Sequence, residues 1–521
     1  MMKLARRIVA AVGVGERAQT GAAVVLVAAS MTILLGFAAF SVDFGWLYLN
    51  AVRIQHGADA AALAGVVYEP GDQAEAYSTA LEIAADNGYV DGMGSATVTP
   101  IDYADDPSAV ENQYQLRVTV SDTVDTFFMR IFGFDSITVT KHAIAEYVLP
   151  LPMGSNLPYF GEDPSIPGHD PHFWANIHGY YTGRSMGDRF SSQCAHDGSG
   201  SGCAKNTDRR ATTYSSGIPA TGGYLYGIEV PDGASDLAVE VFDAPFYYGG
   251  GDNVLVGDNE QGATVGPSTW FILYAPDPTP LNTTDNTVLC SVKYDPEDSF
   301  ADFNGDGSVN AGDDQNGDGK LDWSDVEIGL PGGVASLWDR LCGTVFNSGP
   351  GVYPLRVVID DPGPVDARGL NRYSLRASAN GGSPRVYGLG DMSVYVNFSG
   401  NTSTFNLAEV QPVHAGKTLV IELWDPDSGN NGTQIFMPDG TSPPCTWSNL
   451  DGTRGATLGS CDINYSTGFN DDHMQIRVDV PDDYTCSGNC WWTIEVSYPG
   501  GANDTTTWSA RIEGNPVALV E

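Results

Sequence analysis

Residues Gly21 to Val42 (GAAVVLVAASMTILLGFAAFSV) run for 22 positions without a charged side chain. At about 1.5 Å per residue a helix of that length reaches ~33 Å, enough to cross the hydrocarbon core of a bilayer. Lipid offers no water to backbone amides, so a single isolated run can cross only as a helix that satisfies them internally. The first 19 residues carry Lys3, Arg6, Arg7 and Arg17 against Glu16 alone. This basic flank predicts a cytoplasmic segment over 1–19 and a single transmembrane helix over 20–44. By the Lys/Arg orientation bias, the rest of the chain then lies outside the cytoplasm, extracellular or periplasmic, anchored in the cell membrane. The apolar run exceeds the ~7–15 residues of a secretory signal core, so retention of the anchor is expected over its cleavage. Helical sequence continues beyond it through Asp43 to Gly65, with Trp46 and Tyr48 at the level of interfacial aromatics.

The formal charge of the chain is −40, and the acidic excess lies entirely beyond the basic first segment. Such a surface repels phosphate backbones, so nucleic acid is excluded as a partner and cations are favoured. A length of 521 residues is too great for one core and predicts about three folded units. With 62 Gly and 31 Pro in a chain that is still 42% hydrophobic, short strands joined by many turns are favoured over helical bundles. The eight cysteines fall into the local groups Cys194/Cys203, Cys290/Cys342, Cys445/Cys461 and Cys486/Cys490, all beyond the anchor. That distribution fits disulfides in an oxidising compartment, with neighbours paired. Zinc is the competing use of cysteine, but no paired C-x-x-C elements accompany them.

The apolar span ends in Val42-Asp43 and is followed by Gln55 and by Ala58-Asp59-Ala60-Ala61-Ala62-Leu63-Ala64. A second helix is predicted over Gln73 to Asn87, stopped by Gly88, which suits the left-handed residue after a helix. Leu116, Val118 and Val120, then Ile137 and Val139, alternate with polar neighbours as half-buried strands do, around a short FFMRIF segment (Phe127 to Phe132) closed by Gly133. A strand with Ala143, Ala145 and Tyr147 ends at Pro150. These features resemble the TadE/TadG-like family of tight-adherence (Flp) pilus assembly over roughly residues 15–150. The resemblance implies a small α+β, pilin-like region over 45–150, a role in pilus assembly, and other pilus-assembly proteins as partners. The basic segment departs from pilin-like members in lacking a Gly followed five residues later by Glu, the pattern at which prepilin peptidases cut. Processing into a filament subunit is therefore not expected.

From Leu151 onward short alternating segments are separated by Gly, Pro, Asn and Asp clusters. Leu237, Val239 and Val241 read as a half-buried strand, while Trp270 to Tyr274 and Leu355 to Ile359 read as buried ones. They predict a β-sandwich domain over 151–390. A second sandwich over 391–521 is predicted from Leu419, Ile421 and Leu423, from Met474 to Val480, and from Trp492, Ile494, Val496 and Tyr498. The expected fold is thus multidomain: a transmembrane helix with a small α+β pilin-like domain, then two mainly antiparallel β-sandwich domains.

The most chemically specific stretch is an insertion at 302–327, DFNGDGSVNAGDDQNGDGKLDWSDVE. It fits the calcium-loop pattern twice, with oxygens at positions 1, 3, 5, 9 and 12, a carbonyl at 7 and a turning Gly at 6. Loop one would use Asp302, Asn304, Asp306, the Ser308 carbonyl, Asn310 and Asp313, with Gly307 at the turn. Loop two would use Asp314, Asn316, Asp318, the Lys320 carbonyl, Asp322 and Asp325, with Gly319 at the turn. Hard oxygen ligands select Ca²⁺ over zinc, and Asp in place of a bidentate Glu at position 12 points to weaker coordination, matched to millimolar extracellular calcium. The loops abut at Asp313-Asp314 without a helix between them and resemble dockerin or thrombospondin type 3 repeats more than paired EF-hands. A Cys290–Cys342 bridge would bracket them and, with structural calcium, order an insertion too polar to fold alone.

No catalytic pattern stands beside this one, and an enzyme is not expected. His169, His172 and His178 in HDPHFWANIH, near Asp170 and His196, do not match H-E-x-x-H, and no paired C-x-x-C element makes a zinc finger with them. Trp491-Trp492 could present an aromatic platform to sugar, although adjacent strand residues face opposite sides and core packing is the simpler reading. Two functions follow. The first is a membrane-anchored component of pilus assembly or surface adhesion with a calcium-stabilised ectodomain. The alternative is a calcium-dependent adhesin or carbohydrate binder, with surface glycans or cells as partners and no part in pilus assembly.

Overall fold

A computed structural model describes residues 15–69, 73–109, 114–166, 173–179, 187–190, 212–244, 246–247, 258–259, 268–276, 280–281, 283, 286–295, 303–305, 311–319, 323–329, 331–347, 349–360, 370–398, 402–426, 432–464, 469, 472–497, 502–513 and 517–520. The chain divides into two compact units, Met1–Val148 with Gly514–Glu521, and Leu149–Glu513.

The first unit is built on one helix, α1 (Gly15–Gly65), whose stretch from residue 23 is a candidate membrane span by length and composition. From Ala23 to Val42 its side chains are almost wholly exposed. Beyond Asn50 the same helix becomes amphipathic, burying Ile54, Gly57, Ala58, Ala61, Ala62, Gly65 and then Val66, the three- and four-residue spacing of a helix face. This face packs on α2 (Gln73–Asp86) and on an antiparallel sheet of β1 (Thr97–Asp102), β2 (Gln115–Asp125) and β3 (Ser136–Tyr147). Leu116, Val118 and Val120 of β2 and Ala143 and Ala145 of β3 complete the core. The alanines and glycines of α1 are small because neighbours come close. A Cβ on Gly65 would lie 2.6 Å from Leu116 Cδ2 and 2.7 Å from the backbone oxygen of Ala76, and one on Gly57 would lie 2.8 Å from the Tyr89 ring. Helix α2 ends as predicted: Gly88 has φ +96°, its N–H bonds the Ala85 carbonyl and the Tyr89 N–H bonds that of Ala84.

The fourth strand of this sheet is Val517–Leu519, paired antiparallel with β3 through Val517 to Tyr147 and Leu519 to Ala145. The second sandwich expected over 391–521 therefore does not hold these residues. Three residues after Gly-Asn-Pro carry too little alternation to betray a strand, and the pairing is fixed by the open edge of β3 rather than by local pattern.

The second unit is antiparallel β throughout its main sheets, as expected. A five-stranded sheet runs in the order Val288–Tyr294, Thr269–Tyr274, Gly351–Ile359, Tyr224–Val230 and Arg385–Leu389. A four-stranded sheet joins Thr402–Glu409, Trp491–Ser497, Gly432–Phe436 and Asp462–Asn464. Both pack on one long sheet. Phe271 and Tyr226 of the five-stranded sheet meet Tyr373 edge-on at 5.2 and 6.0 Å, and Phe405 of the four-stranded sheet meets Trp508 at 6.0 Å. In the long sheet Asp391–Phe398 pairs with Trp174–His178 on one side and Ala502–Ile512 on the other. The boundary expected at 390 is therefore not a break between domains. Gly390, at φ +74°, turns the chain from one sheet to another, and a Gly-rich turn between sheets has the same composition as a linker.

Two measurements test the packing of the first unit. Gly65→Ala should destabilise the detergent-solubilised chain by about 1–3 kcal/mol in chemical denaturation, because the Ala76 backbone cannot retreat. Gly45→Ala, where nothing lies within 4 Å of a Cβ, should be neutral or stabilising. Glu69 follows α1 and is buried, and desolvation together with the neighbouring Asp102 carboxyl pushes it up to about 8. The two carboxyls can hydrogen-bond only when one holds a proton. Between its ordinary 4.5 and about 8 the folded chain retains a proton that the unfolded chain releases, so stability falls as pH rises through that window. Glu69→Gln should leave stability near wild type at pH ~5 and raise it above wild type as pH approaches ~8.5.

Candidate functional site

Six of the twelve expected calcium ligands are described: Asn304, Asp313, Asp314, Asn316, Asp318 and Asp325. Asp302, Asp306, Ser308, Asn310, Lys320 and Asp322 lie outside the described residues. Loop one ends in a 3₁₀ turn, Ala311–Asp313, and loop two runs into a short helix, α3 (Trp323–Gly329), so no full helix separates them.

The two loops close alike. In each, the carboxylate at position 12 is fully buried and turns back onto the backbone at position 3. Asp313 Oδ1 accepts the Asn304 N–H at 3.0 Å, and Asp325 Oδ1 accepts those of Gln315 and Asn316 at 2.8 and 3.1 Å. Position 4 is a glycine in the left-handed region in both, Gly305 at φ +72° and Gly317 at φ +78°, with Gly319 at position 6 of loop two at φ +84°. Those angles are ones an L side chain adopts only with strain. At position 1 of loop two, Asp314 accepts N–H groups from Gly317 at 2.6 Å and Gly319 at 2.8 Å, and Asn316 Oδ1 accepts that of Asp318 at 2.9 Å. The Gly319 N–H foremost holds Asp314 below the usual carboxylate range. The backbone thus wraps around ionised oxygens, and the donor set is hard and anionic, which suits calcium. Among the described residues no three His, Cys, Asp or Glu side chains form a metal cluster.

The segment is held at its base. Cys290 and Cys342 are bridged with Cα atoms 6.2 Å apart. Phe303 packs so closely on Gly329 that a Cβ there would lie 2.4 Å from its ring. Cys445–Cys461 and Cys486–Cys490 also pair as neighbours, while Cys194 and Cys203 lie outside the described residues.

The other candidates come apart. His169, His172, Asp170 and His196 lie outside the described residues, and His178 is buried in a core strand with its backbone N–H on Asp188 Oδ2 at 3.0 Å. Burial lowers its pKa and keeps the ring neutral. Trp491 and Trp492 are both buried, and the Trp492 indole donates to the Tyr484 hydroxyl at 3.1 Å, so neither forms a sugar platform.

In the first unit, three marks read only as sequence signature have structural tasks. Gln55 Nε2 donates to the His142 carbonyl of β3 at 2.9 Å and to Asp59 Oδ1 at 2.8 Å. Ala58, Ala61 and Ala62 form the close-packed face. Asp43, fully buried, accepts the N–H groups of Phe127, Phe128 and Met129 at 2.8, 2.8 and 2.6 Å. The signal that would have found it is plain: Asp43 is the lone charged residue from 18 to 52, at the border of an apolar span.

Comparison with known proteins bears on this first unit. A family model for Flp pilus-assembly TadE/G-like proteins matches residues 21–73, and one for Tad-like Flp pilus assembly matches residues 59–145. No curated protein matches the chain. Among solved structures, the N-terminal CBM22-1-CBM22-2 tandem domain from Paenibacillus barcinonensis Xyn10C is similar over 54% of this chain and 79% of its own, at 10% identity and a TM-score of 0.13, too low to carry a conclusion. The helix, its Ala-rich face and the sheet that it packs on thus lie in the stretch, residues 21–145, that is similar to TadE/G-like and Tad-like Flp pilus-assembly proteins.

Proposed function

We propose that this chain is an extracytoplasmic, membrane-anchored component of Flp-type pilus assembly or surface adhesion, with a β-sandwich unit ordered by calcium. The observation that carries the reading is the dual use of α1. One uninterrupted helix is a candidate span in its first half and the core of the pilus-assembly region in its second. The region is therefore held at the membrane by a rigid element instead of a flexible tether, as a part that must transmit position or force to an assembling fibre requires.

Calcium is supported by the repeated closure of the two acidic loops, their left-handed glycines and the hard donor set. Bound there, the ion would neutralise crowded carboxylates and fix a segment with few apolar side chains of its own, between the Cys290–Cys342 bridge.

Deleting the gene in its native host should abolish surface pili in electron micrographs, and the full chain should restore them. Unaltered pili, with loss of calcium-dependent binding to glycans or cells, would favour the adhesin instead. For the metal, the purified full chain should melt higher in millimolar Ca²⁺ than in EDTA. A ligand present at about 100 times its Kd stabilises the folded state by about 2.7 kcal/mol. Asp313→Asn and Asp325→Asn should each remove part of that calcium-dependent gain, and the double variant all of it.

A further inference from the structure

The β2–β3 hairpin ends in a tip, residues 126–135, that is apolar outside and polar within. Phe127, Phe128, Ile131, Phe132 and Phe134 expose between 42% and 77% of their surfaces. Five large apolar side chains within eight residues form the kind of contiguous patch that marks an interaction surface.

The tip's backbone is satisfied largely without water. Thr126 N–H bonds the Asp135 carbonyl at 3.0 Å, and Asp43 takes the next three N–H groups. Within the 3₁₀ turn Met129–Phe132 and its closing Gly133, Ile131 N–H bonds Phe128 O, Gly133 N–H bonds Arg130 O and Phe134 N–H bonds Met129 O, at 3.0 to 3.2 Å. The Arg130 guanidinium folds back on the Thr126 carbonyl. A segment whose amides are already paired can leave water at little cost, which is the condition for entering lipid.

Its position is set by α1. The Phe127 ring meets Trp46 at 5.6 Å, and the Phe132 ring meets Phe40 at 5.9 Å. The tip thus lies alongside the helix from Trp46 to Phe40, and Phe40 belongs to the uncharged run. Six helical residues are ~9 Å, within the ~5–10 Å at which interfacial elements seat their apolar faces. Val42 and Phe44 are also exposed on α1 at the same level.

We propose that this hairpin tip is a second membrane contact, a wedge of Phe127, Phe128, Ile131, Phe132 and Phe134 seated in the interface of the bilayer that α1 crosses, and clasped to α1 by Asp43. It rests on the reading of α1 as a span. Two contacts at one end of the unit fix its tilt and rotation, which a lone helix leaves free. The flanking Asp125 and Asp135 make the wedge apolar in its driving force, so the contact should not depend on anionic lipid or on salt.

The test uses the full chain in phosphatidylcholine nanodiscs, with a single added thiol carrying a fluorophore in Ile131→Cys, in Leu34→Cys within the span, or in Ala104→Cys at the opposite end of the β1–β2 pair. Lipids bearing a nitroxide high on the acyl chain should quench the Ile131 label at least twofold more than the Ala104 label, equally at low and high salt. Lipids bearing it deep in the chain should quench Leu34. Quenching at Leu34 with none at Ile131 beyond that at Ala104 overturns the wedge and leaves the span intact. Absence at both overturns the two together. An Ile131 label shielded from an aqueous quencher yet untouched by the lipid-borne one places protein on the tip and equally overturns the proposal.

Discussion

Helix α1 carries two kinds of surface along one axis, and the rest of the first unit follows from how it does so. From Ala23 to Val42 it presents apolar side chains on every side. Its second half narrows that apolar surface to a stripe of Ile54, Ala58, Ala61, Ala62 and Val66, against which a helix and a sheet can close. The change happens within a few residues of Asp43, which is neither exposed nor paired with a cation alone but is enclosed by three backbone N–H groups. A carboxylate so enclosed exchanges its hydration for oriented dipoles, and the helix can carry it at the border of an apolar run without a break.

Much of this was legible in sequence because its signals are local. The span is a matter of length and charge, α2 of a helix stopped by Gly88, and the strands around Leu116 and Val118 of alternation. The meaning of the Ala-rich stretch was not legible. As sequence it reads as good helix former, whereas its real constraint is steric, set by Leu116, Ala76 and Tyr89 arriving from elsewhere in the chain. Likewise the partner of Asp43 lies more than eighty positions away, and nothing near Asp43 names it.

The second unit shows the same divide. Individual strands at 269–274, 351–359 and 418–424 are where alternation and apolar runs place them. The organisation is another matter: Asp391–Phe398 joins both halves into one sheet by pairing with a strand more than two hundred residues earlier. Register across such a distance is chosen by which edge is open and which face is buried, and neither is written in the strand itself. The acidic repeats lie between these cases. Their twelve-residue period is visible at once, while the burial of Asp313 and Asp325 and their return onto position 3 are set by how the chain folds back on itself.

The strand Val517–Leu519 has a consequence for how the molecule comes into being. Because it completes the sheet of the first unit beside β3, that sheet stays one strand short while all of residues 149–513 are synthesised. The sandwich unit can fold in the meantime, tethered to a neighbour with an open edge. Closure of that edge waits on residues 517–519, which follow the whole of the second unit. Built this way, the first unit is begun first and finished last.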